Sequence, residues 1–375
     1  MRARGRVAKV AVEMAVPLFD TDTPLAPVRE EILERIGDVV RSGRFVLGPE
    51  VAAFEQEFAA YLGVGHVVGV ANGTDALAIA LRALGVKPGD DVVVPSLTFY
   101  ASAEAIADIG ARPVFCDVDP DTRNVTVESV RAALTRKTSA IMAVDLFGVP
   151  APCGDLKREL GLPVLEDAAQ AAGATADGKR AGALGDAATF SFYPSKNLPC
   201  FGDGGAIATD DDRVAELARQ LRFHGSRDKE TFEYVGYNSR LDAVQAAVLR
   251  VLLRRLDEWA DGRRAGATAY LKAGLADHVT VPRPQPGAAP AWHLYVVTHP
   301  RADALLRALN EAGVQARAYY RTQCHHQPSM APFVDAAAPL PVTEALGRDN
   351  IALPISPVLG AAQAREVVAA IASAV

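Results

Sequence analysis

Seven short apolar runs between residues 66 and 210 constrain this chain more than any other feature. They cover 66–71, 91–96, 113–118, 139–147, 163–167, 187–193 and 205–209. Most are rich in Val, Ile or Phe and lack the polar alternation of a half-exposed strand, so both faces must be covered. Helical periodicity fills the intervals, as in Asp75 to Leu84, Val127 to Leu134 and Asp211 to Leu221. This alternation specifies an α/β fold with a mostly parallel seven-stranded sheet. Such sheets bind ligands beyond the carboxyl ends of their strands.

After the last run, Leu241 to Trp259 reads as one long helix, and the Pro/Gly/Ala-rich segment Pro282 to Pro290 as a loop. His293 to Thr298, a helix near Ala302 to Ala312, Val314 to Tyr319 and a closing helix Ala361 to Ala374 suggest a smaller α+β unit. The expected division is a flexible extension over 1–15, a large domain over 16–255 and a small C-terminal domain over 256–375.

Two polar residues stand at strand ends. Asp167 closes the run Val164-Leu165-Glu166-Asp167, and Lys196 lies just past another run, in Ser191-Phe192-Tyr193-Pro194-Ser195-Lys196-Asn197. A pyridine-aldehyde cofactor needs an amine that forms a Schiff base and a carboxylate that keeps the ring nitrogen protonated. A Lys and an Asp so placed supply that pair. Taken singly, each has an ordinary alternative: an exposed loop lysine, and a helix N-cap before Ala168-Ala169-Gln170. Gly73-Thr74 follows a strand and opens a helix, an arrangement that presents backbone N–H groups to a phosphate.

Six segments, in order, resemble the DegT/DnrJ/EryC1/StrS family of sugar aminotransferases. They are Gly73-Thr74-Asp75-Ala76-Leu77, Pro95-Ser96-Leu97-Thr98-Phe99, Glu166-Asp167-Ala168-Ala169-Gln170, the Lys196 run, Gly204-Gly205 and Gly236-Tyr237-Asn238-Ser239-Arg240. The resemblance covers roughly Val16 to the C-terminus. It implies the fold-type I architecture and pyridoxal 5'-phosphate (PLP) as cofactor. Lys196 would then be the Schiff-base lysine and proton carrier, and Asp167 the partner of the pyridinium nitrogen. Gln170 would bond the ring hydroxyl, and Phe99 would stack on the ring. Gly73, Thr74 and Ser191 would hold the phosphate, with Asn238 reaching it from the other subunit of a homodimer with shared sites. His325, Tyr320 and Arg227 are candidate substrate contacts. The implied reaction takes an amino group from L-glutamate to a nucleotide-linked keto-sugar, with C3 favoured over C4, in polysaccharide or glycoside biosynthesis. A sugar dehydratase or lyase and a non-catalytic PLP-binding regulator are the alternatives on the same fold. The familiar dehydratases replace the lysine by His. The chain departs from the pattern at Asn72, where many members have Ser, and at Asp145 and Ala172, where many have His.

Composition narrows the partners. Net charge is −6, half the residues are hydrophobic and 22% are charged. This fits a globular enzyme and argues against a nucleic-acid surface. The four cysteines show no CxxC spacing, which points to a reduced, cytoplasmic chain, and no metal site is expected. No apolar run is long enough to cross a membrane.

Overall fold

The computed structural model describes residues 16–334 and 339–375, so the expected extension over 1–15 lies outside the described residues. In chain order the strands are β1 (His66–Val70), β2 (Asp91–Pro95), β3 (Arg112–Cys116), β4 (Thr138–Val144) and β5 (Val164–Asp167). They continue as β6 (Thr175–Ala176), β7 (Lys179–Arg180), β8 (Ala187–Ser191), β9 (Gly205–Thr209), β10 (Ala288–Ala289), β11 (Tyr295–Thr298) and β12 (Asn350–Leu353). Seven of them build the main sheet in the order β1-β9-β8-β5-β4-β2-β3, one strand for each apolar run.

From β8 across to β3 every pairing is parallel, whereas β9 runs antiparallel to both of its neighbours. The reversed strand has a consequence for the site. Its first residue, Gly205, pairs with Val70 at the end of β1 and with Ser191 at the end of β8. A glycine therefore lies between two carboxyl-terminal strand ends.

Both faces of the sheet are covered, as the unbroken apolar runs require. Val92, Val94, Ala140, Met142 and Val144 enter one buried cluster, whereas Val93, Ile141, Ala143 and Val164 enter another on the opposite face. Beside the second of these, a further core gathers Phe54, Phe58, Phe190 and Phe192. Phe58 lies 4.9 Å from Phe190, 5.5 Å from Phe54 and 5.8 Å from Phe192, centroid to centroid. Edge-on and offset rings at these spacings are mutually favourable.

The long helix expected over Leu241 to Trp259 is instead two, Ala243–Leu253 and Leu256–Lys272. Neither Pro nor Gly marks the break at Arg254-Arg255, so the sequence carries no punctuation there. The second helix runs past the expected end and changes its surroundings along its length. Leu256 and Trp259 pack with the aromatic core, and Ala267 and Tyr270 pack with β11 and β12. The two-stranded β11–β12 ladder and the helices Ala302–Glu311 and Ala361–Ala372 complete this last cluster. The segment Val314 to Tyr319 joins it through single bridges, with Arg317 opposite Ala352. Among the described residues, no helix is long and apolar enough to cross a membrane.

Truncating Phe58 to Ala should cost about 3–5 kcal/mol, because the rings of Phe54, Tyr61, Phe190 and Phe192 lose a common neighbour and a cavity is left in the core. Chemical denaturation should show a lower midpoint with an unchanged slope.

Candidate active site

The carboxyl ends of β1, β2, β4, β5 and β8 and the start of β9 converge on one edge of the sheet. Asp167 is the last residue of β5, and Lys196 follows β8, the strand parallel to it, within a turn closed by Lys196 N–H to Tyr193 O at 2.8 Å. The pair expected from the sequence is thus assembled by adjacent strands.

Lys196 is half-buried, and among the described residues its Nζ has no hydrogen-bond or ion-pair partner. Burial lowers its pKa to about 8, against a smaller upward pull from the charge of Asp167. Near pH 8, much of the amine is therefore neutral and nucleophilic. Behind it stands His293, which is buried, with Nδ1 unpartnered. Burial, followed by the positive charges of Lys196 and Arg263, holds this imidazole well below its usual pKa, so it is neutral. Asn197 is also buried, donating Nδ2–H to Ala291 O at 2.7 Å and leaving Oδ1 unpartnered.

Asp167 is buried, and burial raises its pKa. Three features oppose that rise. In order of size they are the Ser102 hydroxyl, which donates to Oδ2 at 2.8 Å, the Ala169 N–H on Oδ1 at 3.2 Å, and the Lys196 charge. The Thr98 hydroxyl lies 2.9 Å from that of Ser102 and extends the chain. Donors aimed at a carboxylate favour its ionised form. Beneath this carboxylate lie two more, Glu166 and Asp145, both without solvent exposure. Glu166 accepts the N–H groups of Gly182, Leu184 and Gly185. Burial, followed by the charge of Glu166, pushes the Asp145 pKa well up, while Asp145 Oδ1 accepts the Ala151 N–H at 2.7 Å.

Gln170 is buried with its orientation set by the Phe147 N–H, which donates to Oε1 at 2.7 Å. Its Nε2–H then donates to the Tyr320 hydroxyl at 3.2 Å, and one amide hydrogen is left to reach a ligand. Phe99 is 53% exposed, with its ring 5.9 Å from that of Tyr320, so it is not a core residue. An exposed ring at the mouth of a polar cleft is available to stack on a flat ligand.

At the other end of the cleft the helix Gly73–Ala83 begins. Asn72 caps it, accepting the Asp75 N–H at 2.8 Å, so this side chain is committed to the helix. A Cβ on Gly73 would lie 2.8 Å from Ser191 Cβ, and one on Gly205 would lie 2.4 Å from Asn72 O. Only glycines permit this close approach of helix start, Ser191 and β9. The N–H groups of the first turn and the hydroxyls of Thr74 and Ser191 make a cradle for a phosphate. Together with the unpartnered amine, the braced carboxylate and the exposed ring, this donor set fits a phosphate-bearing pyridine aldehyde.

Other expected residues lie elsewhere. Asn238 is exposed, with Oδ1 accepting from Arg240, in a segment tied to its own β1 by the Ala71 N–H to Ser239 Oγ at 3.0 Å. Arg227 is ion-paired with Glu216 at 3.1 Å. His325 lies against Ser96, with 2.5 Å between Nδ1 and Oγ. Ser102 and His293 were not singled out in the sequence. Ser102 lies three residues beyond the end of the segment Pro95 to Phe99, and His293 opens a strand-like run. Neither carries a pattern of its own.

Comparison with known proteins identifies the family. The model of the DegT/DnrJ/EryC1/StrS aminotransferase family matches residues 27–372. The dTDP-3-amino-3,4,6-trideoxy-alpha-D-glucose transaminase of Streptomyces venezuelae is 44% identical over 364 residues, covering 95% of each chain. A pleiotropic regulatory protein of Geobacillus stearothermophilus is 42% identical over 365 residues, covering 96% of this chain and 98% of the relative. The crystal structure of DesV from S. venezuelae superposes with a TM-score of 0.92 at 43% identity, over 96% of this chain and 98% of that one.

Replacing Ser102 by Ala removes the leading support of the Asp167 charge, a charge-assisted hydrogen bond of about 1.5–3 kcal/mol. Affinity of the apoprotein for PLP, followed by absorbance titration, should fall about tenfold or more. Ser102→Thr keeps the hydroxyl and should retain most of that affinity. Equal losses in the two variants would mean that the position matters for packing and not for the hydroxyl.

Proposed function

The chain belongs to the DegT/DnrJ/EryC1/StrS aminotransferase family, and on that premise we propose that it moves an amino group from L-glutamate to the keto carbon of a nucleotide-linked sugar. The observation that carries this reading is the unpartnered Lys196 amine beside the hydrogen-bonded Asp167, at the carboxyl edge of the sheet. The protein is a PLP-dependent aminotransferase.

When bound, PLP supplies an aldehyde that takes up amines and a protonated ring that draws electrons from the reacting carbon. Lys196 would hold the bound cofactor through its Nζ and be released when a donor amine takes its place. Freed, its neutral Nζ takes the proton from the donor α-carbon and later delivers one to the sugar carbon that receives the nitrogen. The Ser102 hydroxyl and Ala169 N–H, donating to Asp167, favour its carboxylate form, which would hold a proton on the ring nitrogen of the bound cofactor. Gln170, fixed by Phe147 and Tyr320, orients the ring edge through its remaining amide hydrogen. Gly73, Thr74 and Ser191 anchor the phosphate, and Phe99 covers the ring. Uncharged His293 lies behind Lys196 and adds no positive charge that would compete for the Asp167 carboxylate.

Amination at C3 is supported by the name of the S. venezuelae relative. The regulatory name of the Geobacillus protein belongs to that protein. Here the amine and the carboxylate are both in place, which favours catalysis. Lys196 also sets the chain apart from the dehydratase pattern. The homodimer with shared sites is supported by the exposed Asn238 and by Phe232, Tyr234 and Val235, apolar side chains exposed on the same segment. His325, Tyr320 and Arg227 remain the candidate contacts to the nucleotide-sugar.

Adding L-glutamate to the PLP-loaded protein should convert its absorbance to that of the amine form of the cofactor. Lys196→Ala should abolish turnover. Because the amine is neutral only above its depressed pKa of about 8, PLP capture by the apoprotein should speed up roughly tenfold between pH 7 and pH 9. A spectrum indifferent to glutamate and to other amino donors would exclude the transaminase reading.

If Asn238 reaches the phosphate of a partner's cofactor, Asn238→Ala should weaken PLP binding severalfold without altering the Lys196 absorbance band. Unchanged affinity would remove Asn238 from the site.

A further inference from the structure

Two histidines and a carboxylate meet at the end of the neighbouring strands β2 and β3. His325 Nε2 lies 3.7 Å from Glu344 Oε1, and His326 Nε2 lies 3.8 Å from the same oxygen. One ligand atom from each of the three residues lies within 4.8 Å of the other two. We propose that His325, His326 and Glu344 form a binding site for one divalent transition-metal ion of the zinc class. The proposal does not depend on the aminotransferase reading.

The ligands are held from two sides by the main sheet. Ser96, the residue after β2, brings its Oγ to 2.5 Å from His325 Nδ1 and also accepts the His325 backbone N–H at 3.1 Å. With Nδ1–H donated to Ser96, the Nε2 lone pair is free for a metal, the arrangement that orients most metal-bound imidazoles. Asp117, the residue after β3, clamps the other ligand. Its carboxylate accepts the N–H groups of Val342 at 3.0 Å and Thr343 at 2.7 Å, the start of the helix Pro341–Asp349 that carries Glu344. Pro95 and Cys116, which precede Ser96 and Asp117, are paired in the sheet. The positions of His325 and Glu344 therefore follow from strand register.

Metal–ligand bonds of about 2.0–2.1 Å in a tetrahedral site place ligand atoms about 3.4 Å apart. Both carboxylate distances need only close by a few tenths of an ångström. His326, 52% exposed at its side chain, has the freedom to complete the set. Two imidazoles and one carboxylate suit Zn2+, Co2+ or Ni2+, and not the all-oxygen preference of Mg2+ or Ca2+. Three protein ligands leave a position for water or an anionic group. A cavity of about 490 Å³, lined by His325, Arg112, Asp117 and Phe333, gives solvent a way in.

The alternative is a pair of histidines resting against a surface carboxylate with no ion. Titration of the chelator-stripped, PLP-loaded protein with Co2+, followed by its visible d–d bands, separates the two. One Co2+ per chain should bind saturably and be displaced by Zn2+. His326→Ala and Glu344→Gln, which leave His325 and the PLP site intact, should each weaken binding at least tenfold while circular dichroism and the PLP band stay unchanged. Wild-type affinity in both variants, or no saturable binding at one ion per chain, overturns the proposal.

Discussion

A carboxylate held without solvent at the end of a parallel strand is costly unless donors surround it, and Asp167 organises this molecule on those terms. The Ser102 hydroxyl, the Ala169 N–H and the Lys196 charge each counter its desolvation. Each comes from a different element: the helix after β2, the turn after β5 and the loop after β8. Moving any of these strands by one residue would separate donor from acceptor. The register of the sheet and the ionisation of Asp167 are thus one constraint seen at two levels.

Beneath this carboxylate the chain solves the same problem in other ways. Glu166 is met by three backbone N–H groups, and burial beside Glu166 pushes the Asp145 pKa well up. Three acidic side chains therefore share one edge of the sheet with three different treatments, and only Asp167 faces the Lys196 amine. The antiparallel β9 serves the other end of the cleft. By placing Gly205 between Val70 and Ser191 it lets a helix start approach within a distance that no Cβ would allow. The residues proposed to anchor the phosphate and to meet the ring nitrogen thus end neighbouring strands, Ser191 on β8 and Asp167 on β5.

Much of this was legible in the residues. Each apolar run became one strand, because a strand covered on both faces needs no polar alternation and so stands out as an unbroken run. Asp167 was legible as the end of one strand and Lys196 as lying past the end of another, since an apolar run stops at or before each. The Asn72 departure was legible as a change, but not its outcome. That Asn would cap the helix depends on the local φ/ψ of a residue whose type is compatible with several roles. The break at Arg254-Arg255 was missed because the apolar periodicity continues across it, and the two halves differ only in which core they meet.

The sequence by itself determined the layered α/β fold, the lysine–aspartate pair and the glycines of the phosphate cradle, because periodicity, strand ends and glycine are local signals. The tertiary structure alone decided that Ser102 and Thr98 brace Asp167, that uncharged His293 backs Lys196, that Arg227 pairs with Glu216, and that His325 and Glu344 meet. Those contacts depend on pairings that join residues up to 229 positions apart, as Ser96 and His325 are. Their partners are chosen by strand order and helix placement, which no short stretch of chain encodes.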